Sequence, residues 1–266
     1  MIKLLKQYKI KDLFAYAFFV PKIIFYLDNW LQYLKSYNSS YSGVIRFRNG
    51  LKLKVKDSAD TSSISVIFFK REYGVIKENS TVLDIGANRG YFSVYAANSV
   101  KHVKVYSFEP IKATYDSILE NIQINNLKEK IIPFNLGVAG SDNVMEFSIG
   151  SSVNSSISNS MIFNKSHDRV EKIKCICLKS IIENNNLSKI DLIKMDCEGA
   201  EFEILLNTPA DFLENIHEIR MEYHNIDDKK LNIENLKIFL QENGYKVIKQ
   251  IPSTESVGII WFKQNG

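Results

Sequence analysis

The stretch TVLDIGANRG, residues 81–90, determines how the rest of the sequence is interpreted. Its first half, residues 81–85, is an apolar run with the length and composition of a buried strand. The second half is a loop bounded by Gly86 and Gly90, and a helical pattern follows to about residue 98. Because glycine carries no Cβ atom, such a loop can turn sharply and lie close to a ligand. This order of strand, turn and helix predicts the first unit of an α/β fold.

The same alternation continues toward the C-terminus. Further apolar strands are predicted at residues 103–108, 131–134, 191–195 and 216–223, and helices at 113–125 and 233–243. This alternation predicts a doubly wound, mostly parallel sheet with right-handed crossovers. The segments 246–250 and 257–262 have no helix between them, so the last strand must be antiparallel. Two more β segments, 144–149 and 170–175, flank the Ser/Asn-rich stretch 150–168, which is either a mobile lid or a long surface loop.

The chain is predicted to consist of an N-terminal arm and a main domain. Residues 1–42 are predicted to form a helical arm, and residues 43–266 the main domain. Within that domain, residues 43–75 contain a hairpin with an Asn49-Gly50 turn and a leading helix at 62–73, and residues 76–266 form the core.

Two interpretations of the arm remain open. Its apolar run, residues 13–27, is interrupted by Pro21 and Lys22 and is too short to span a bilayer. In the first interpretation the arm packs on the domain or on a second subunit of a homo-oligomer. In the second it lies on a membrane surface, with its lysines against anionic lipid and its aromatic side chains in the headgroup layer.

Composition limits the class of protein. The 266 residues are 45% hydrophobic and 24% charged, as in an ordinary globular protein, and the net charge is only +4. Because the basic residues are not clustered, nucleic acid is not expected as a partner. Three cysteines are too few for a disulfide framework, so we expect a cytoplasmic protein, associated with the membrane if the second interpretation of the arm holds.

The carboxyl ends of the predicted strands contain the candidate ligand-binding residues. Ligands of doubly wound folds bind at these ends, where the strand order reverses. Glu109 follows the second strand and is placed to accept hydrogen bonds from both hydroxyls of a ribose. A nicotinamide dinucleotide site needs three glycines in the pattern GxGxxG, whereas this loop has only Gly86 and Gly90 after Asp84. The spacing therefore favours S-adenosylmethionine over a nicotinamide cofactor.

Four blocks together resemble the FkbM family of methyltransferases: TVLDIGANRG at 81–90, SFEP at 107–110, DLIKMDCEGAE at 191–201 and EYHN at 222–225. The resemblance covers residues 45–262. It implies a class I methyltransferase (Rossmann-like) fold and transfer of a methyl group, commonly to a hydroxyl oxygen of a sugar or another metabolite. The cofactor contacts that it implies are Asp84, Gly86, Asn88, Gly90 and Glu109. It also places residues 135–138, with Asn135, beside the adenine.

The ends of the fourth and fifth core strands contain the candidate catalytic residues. Asp196 follows one strand, and Glu222 and His224 end the other and project to the same side. Asp196 and Glu222 can therefore converge beside the methyl group, where Asp196 is also a candidate cofactor contact. Three interpretations remain open. His224 or Asp196 is a general base; Asp196 and Glu222 bind Mg²⁺ that activates a substrate hydroxyl; or Glu198 and Glu201 merely cap a helix and His224 is a loop residue.

The sequence therefore predicts an S-adenosylmethionine-dependent O-methyltransferase that acts on a sugar, a glycan or a related small metabolite. Two alternatives remain. One is a nicotinamide-dependent oxidoreductase, and the other is a non-catalytic module that only binds the cofactor.

Overall fold

The computed structural model describes residues 20–36, 42–149, 159–160, 169–226 and 230–265. The chain divides into two compact units, Met1–Arg71 and Glu72–Gly266. Most of the predicted arm and nearly all of the Ser/Asn-rich stretch 150–168, whether lid or surface loop, lie outside the described residues. Among the helices that are described, none combines the length and the apolar character needed to cross a membrane.

The N-terminal unit contains the predicted hairpin. Its elements are a helix at 20–26, α1 (Trp30–Ser36), β1 (Gly43–Arg46), β2 (Lys52–Val55), α2 (Ser58–Ile64) and a π-helical segment, Ser65–Lys70. Helix α2 begins four residues before the predicted start because Asp57 and Asp60 form a capping box, in which each side chain accepts a hydrogen bond from the other's backbone N–H. The helical run ends at Lys70, earlier than predicted, since Arg71 has a left-handed backbone with φ 53°.

The strands of the C-terminal unit are, in chain order, β3 (Ser80–Ile85), β4 (Val103–Phe108), β5 (Ile131–Phe134), β6 (Gly137–Val138), β7 (Asn143–Ile149), β8 (Asn159–Ser160), β9 (Arg169–Ile176), β10 (Leu192–Met195), β11 (Glu218–His224), β12 (Tyr245–Pro252) and β13 (Val257–Gln264). Seven of them form the main sheet in the order β12-β13-β11-β10-β3-β4-β5. Strand β13 runs antiparallel to both of its neighbours, whereas β3, β4, β5, β10 and β11 are mutually parallel. The predicted sheet is therefore confirmed.

The helices of this unit are α3 (Tyr91–Ser99), α4 (Lys112–Ile124), α5 (Leu178–Asn184), α6 (Glu201–Leu206), α7 (Ala210–Leu213) and α8 (Ile233–Glu242). Strands β6, β9, β7 and β8 form a second, four-stranded sheet that contains the two additional β segments predicted from the sequence. The main core lies against the central strands, with Leu83, Ile193 and Met221 completely buried. Short apolar strands between apolar helix faces bury both sides of the sheet, as expected for parallel strands.

The strand order reverses between β3 and β10. From β3 the chain moves outward through β4 to β5, and it then returns to form β10 and β11 on the other side of β3. The loops that follow β3 and β10 therefore meet at the carboxyl edge of the sheet, where ligands of doubly wound folds bind. The residues that follow β3, β4, β10 and β11 all lie along this edge.

Candidate active site

The loop after β3 contains the predicted glycine turn. Gly86 and Gly90 have φ values of 69° and 76°, and Asn88 between them is also left-handed, with φ 52°. A Cβ atom on Gly86 would lie 2.0 Å from the carbonyl oxygen of Asp196, and one on Gly90 would lie 3.1 Å from Ile118. The close approach that these glycines permit is thus to the residue after β10 and to α4, whereas the sequence predicted a close approach to a ligand.

A buried ion pair supports this loop. Asp84 is completely buried, its carboxylate lies 3.2 Å from Nζ of Lys194, and it accepts a hydrogen bond of 2.6 Å from Ser93. Lys194 also donates to the carbonyl oxygen of Gly86 at 2.8 Å. Burial lowers the pKa of Lys194, but the charges of Asp84 and Asp196 raise it above its usual value, so it stays charged. Asp84 holds the loop through Lys194, and its predicted contact with the cofactor stays a prediction.

Glu109, at the end of β4, is bound on both carboxylate oxygens. Oε1 accepts hydrogen bonds from the N–H of Ile111 (2.9 Å) and the hydroxyl of Thr114 (2.7 Å), and Oε2 accepts one from the N–H of Asn88 (2.8 Å). A carboxylate oxygen has two lone pairs, so Oε2 retains one acceptor position. Burial raises the pKa of Glu109 to about 7, although these hydrogen bonds oppose the rise. The site thus has capacity for one further donor, where the sequence analysis expected two.

Two asparagines complete this half of the site. Oδ1 of Asn88 is buried and accepts no hydrogen bond from the described residues. Asn135 donates to the carbonyl oxygens of Glu109 (3.0 Å) and Pro110 (2.9 Å), which fixes the chain that leaves β4. A buried acceptor without a donor costs free energy unless a ligand supplies one. Oδ1 of Asn88 and Oε2 of Glu109 are therefore two acceptors that fit a ligand rich in hydroxyl or amino groups, such as an adenosine.

The other half of the site follows β10 and β11. Asp196, Glu198 and His224 each have a potential metal-ligand atom, and these atoms lie within 4.8 Å of one another. The predicted Mg²⁺ pair was Asp196 with Glu222, but Glu222 is not part of this group. Mg²⁺ prefers an all-oxygen ligand set, which a group containing an imidazole does not provide. This cluster therefore does not support the predicted magnesium site.

Glu201, at the start of α6, has two functions in the structure. It is completely buried and accepts hydrogen bonds from the backbone N–H groups of Cys197 (2.8 Å) and Gly199 (2.9 Å). It therefore holds the loop that leads into the helix. Its Oε1 also lies 3.4 Å from Nδ1 of His224. Nε2 of His224 lies 3.6 Å from Glu198, so the imidazole is held between two carboxylates.

The charges of this cluster determine its protonation. Burial lowers the pKa of His224, but its hydrogen bond to Glu201 and the charges of Glu201, Glu198 and Asp196 raise the pKa to about 9. Burial and the charge of Asp196 raise the pKa of Glu222 and that of Glu198 to about 7. At neutral pH His224 is therefore an imidazolium, and Glu198 and Glu222 have pKa values suited to proton exchange near pH 7.

Tyr73 is a site residue that no sequence pattern predicted. It is buried, and its hydroxyl donates a hydrogen bond of 3.2 Å to Oδ2 of Asp196. No sequence signal links two residues that are 123 positions apart. Lys194 was also missed, but a lysine inside an apolar strand is itself a signal, because a buried charge requires a partner.

Comparison with known proteins identifies the family. The FkbM methyltransferase domain matches residues 84–247, more than half of the chain. Methyltransferase 1 of Beauveria bassiana is 23% identical over 205 residues, covering 70% of this chain and 81% of that protein. The hexuronic acid methyltransferase AglP of Haloferax volcanii is 25% identical over 148 residues, 56% of this chain and 57% of that protein. The crystal structure of a methyltransferase FkbM from Methylobacillus flagellatus superimposes with a TM-score of 0.49 and 14% identity, covering 74% of this chain and 47% of that one.

The fold and the family agree. The seven-stranded sheet with antiparallel β13 between β11 and β12 is a class I methyltransferase (Rossmann-like) sheet. The match begins at Asp84 and includes the loop after β3, Glu109 and the ends of β10 and β11. It favours methyl transfer over the nicotinamide-dependent alternative. This chain belongs to the FkbM family of methyltransferases.

Proposed function

We propose that this protein uses S-adenosylmethionine to methylate a hydroxyl oxygen of a sugar, a glycan or a related small metabolite. One observation carries the proposal. A glutamate whose pKa is raised to about 7, Glu222, lies with Asp196 and His224 at the same sheet edge as the glycine loop and Glu109. A group with this pKa is suited to accept a proton near neutral pH.

The cofactor half of the site is the loop after β3 with the end of β4. Glu109 would accept a ribose hydroxyl through its remaining Oε2 position, and Oδ1 of Asn88 would accept a second donor of the same ligand. Asn135 holds the backbone around them. When bound, S-adenosylmethionine supplies a methyl group that leaves its sulfonium sulfur for the acceptor oxygen.

The acceptor half of the site removes the proton of the substrate hydroxyl. A sugar hydroxyl is a weak nucleophile, and its proton must leave as the new oxygen–carbon bond forms. Glu222, ionised above its pKa of about 7, is the proposed proton acceptor. His224 is already protonated, with a pKa of about 9, so we propose that it holds the cluster together as a cation and does not act as the base.

The charges also bear on the acceptor. Among the described residues of this cluster, the cations are Lys194 and His224, and both already contact carboxylates. An acceptor with its own carboxylate would therefore meet Asp196 and Glu222 without a free counter-charge. AglP, named for a hexuronic acid, supports a sugar as the acceptor class, and the charges here favour an uncharged sugar over a uronic acid.

A binding measurement and a transfer assay test this proposal. Calorimetry with S-adenosylhomocysteine and with reduced nicotinamide dinucleotide should show binding of the first only. The protein should then transfer labelled methyl groups from S-adenosylmethionine to octyl glycosides, with neutral hexosides labelled faster than the matched hexuronide. Glu222→Gln is the matched variant, since it keeps the shape of the side chain and removes the base. Binding without transfer to any glycoside would contradict the acceptor class, and binding of the dinucleotide alone would contradict methyl transfer.

A further inference from the structure

A short segment without regular secondary structure, residues 72–75, is held by side chains of three other elements. Its four consecutive backbone carbonyls each accept a side-chain hydrogen bond. The carbonyl of Glu72 accepts from Nε1 of Trp261 at 3.1 Å, and that of Gly74 accepts from the hydroxyl of Tyr95 at 3.0 Å. The remaining two carbonyls, of residues 73 and 75, accept from Nη1 of Arg220 at 2.7 and 2.9 Å.

Side chains also pack closely around residues 72–75. The guanidinium of Arg220 lies 4.5 Å from the ring centre of Trp261 and is paired with Glu218. Gly74 has φ 71°, and a Cβ atom there would lie 2.5 Å from Trp261 and 2.8 Å from Arg220. Only glycine fits this position without displacing both side chains. Residues 72–75 are therefore fixed against β11 and β13 with little freedom to move.

The fixed segment carries Tyr73 into the active site. Tyr73 is only 3% exposed, its ring packs edge-on against Phe92 at 5.5 Å, and Nζ of Lys194 lies 5.6 Å from the ring centre. Its hydroxyl donates to Oδ2 of Asp196. Burial and the charge of Asp196 raise the pKa of Tyr73 well above its usual value, so this hydroxyl stays protonated and remains a donor.

We propose that Tyr73 is a positioning residue of the methyl-transfer site, whose hydroxyl fixes Oδ2 of Asp196 and leaves Oδ1 for the acceptor. Asp196 lies among Glu198, Glu222 and His224, where repulsion between carboxylates would otherwise move its side chain. A hydrogen bond to a charged group holds one orientation more firmly than a neutral bond does. The proposal rests on the proposed function, and it adds a residue that lies outside the segment matched by the family, 84–247.

Tyr73→Phe tests the proposal, because it removes one oxygen and keeps the ring against Phe92. At saturating S-adenosylmethionine and with the octyl hexosides described above, kcat should fall about tenfold or more, because about tenfold is the lower end of the effect of losing a hydrogen bond to a charged group. KM for S-adenosylmethionine should change less than twofold, since Asp196 is positioned for the acceptor. Tyr245→Phe is the matched control, because among the described residues that buried hydroxyl bonds to the backbone carbonyls of Leu213 and Ile216 and to no carboxylate.

The outcomes separate the two proposals. A fall in kcat for Tyr73→Phe that exceeds the fall for Tyr245→Phe, at a comparable loss of thermal stability, supports the positioning role. A kcat within twofold of the wild-type value overturns it and leaves methyl transfer standing. Equal falls for both variants also overturn it, because a general loss of stability then explains the effect. If the wild-type protein neither binds the cofactor nor transfers methyl groups, the proposed function fails and the role of Tyr73 fails with it.

Discussion

Glu109 gives the sharpest prediction about cofactor binding. Because its pKa is about 7, only about one-tenth of the protein carries an ionised Glu109 at pH 6, and about nine-tenths does at pH 8. If the ionised carboxylate is the form that accepts the ribose hydroxyl, the observed affinity scales with this fraction. The dissociation constant for S-adenosylhomocysteine should therefore be about tenfold larger at pH 6 than at pH 8.

Glu109→Gln should remove this pH dependence and weaken binding at pH 8. The lost interaction is a hydrogen bond to an ionised group, worth about 1.5–3 kcal/mol, so the dissociation constant should rise about ten- to 150-fold. Glutamine is a better choice than alanine here. Alanine would leave the backbone N–H groups of Asn88 and Ile111 without this acceptor and would confuse lost binding with lost stability.

Thr114→Val is the matched control. It removes one donor to Oε1 of Glu109, keeps the carboxylate and nearly preserves the volume of the side chain. Because that hydrogen bond lowers the pKa of Glu109, its loss should move the midpoint of the pH dependence upward. Isothermal titration calorimetry between pH 6 and pH 8 measures all three proteins. A wild-type dissociation constant that does not change with pH, or a Glu109→Gln protein that binds as tightly as wild type, would refute the reasoning.

Three further predictions concern catalysis, stability and metal. Glu222→Gln should lower kcat about 100-fold or more and remove the acidic limb near pH 7 from the pH–rate profile, and a surviving limb would transfer the role of base to another group. Lys194→Met leaves Asp84 buried without its counter-charge, so urea denaturation should show a loss of about 3–5 kcal/mol. The exposed Lys189 serves as the control, because replacing it by Met should cost less than about 1 kcal/mol. Methyl transfer should continue in EDTA, because His224 is already held by two carboxylates; activity that is lost in chelator and restored by Mg²⁺ would contradict this.

Much of the fold could be predicted from the sequence because its signals are local. The apolar run 81–85, the glycine loop and the alternation of strands and helices each depend on residues that are close in the chain. Where local chemistry was overlooked, the boundaries were wrong. The leading helix begins at Ser58 because of the capping box of Asp57 and Asp60, a pattern that the sequence already contained.

The candidate site divides in the same way. Residues at strand ends could be identified from the sequence, because parallel strands bring their carboxyl ends to one edge. The contacts between these residues and their protonation states could not be predicted from the sequence. The contact of Glu201 with His224 and the raised pKa of Glu222 depend on distances and burial that only the folded chain sets.

By itself, the sequence determined the doubly wound sheet, the methyltransferase family and the edge at which the polar residues gather. The tertiary structure alone decided which of those residues touch. It showed that the glycines make room for Asp196 and Ile118, that Lys194 neutralises Asp84, and that Tyr73 reaches Asp196. The physical reason is the range of the interactions. Periodicity and turn chemistry act over a few residues, whereas ion pairs, desolvation and side-chain hydrogen bonds act through space between residues that are distant in the chain.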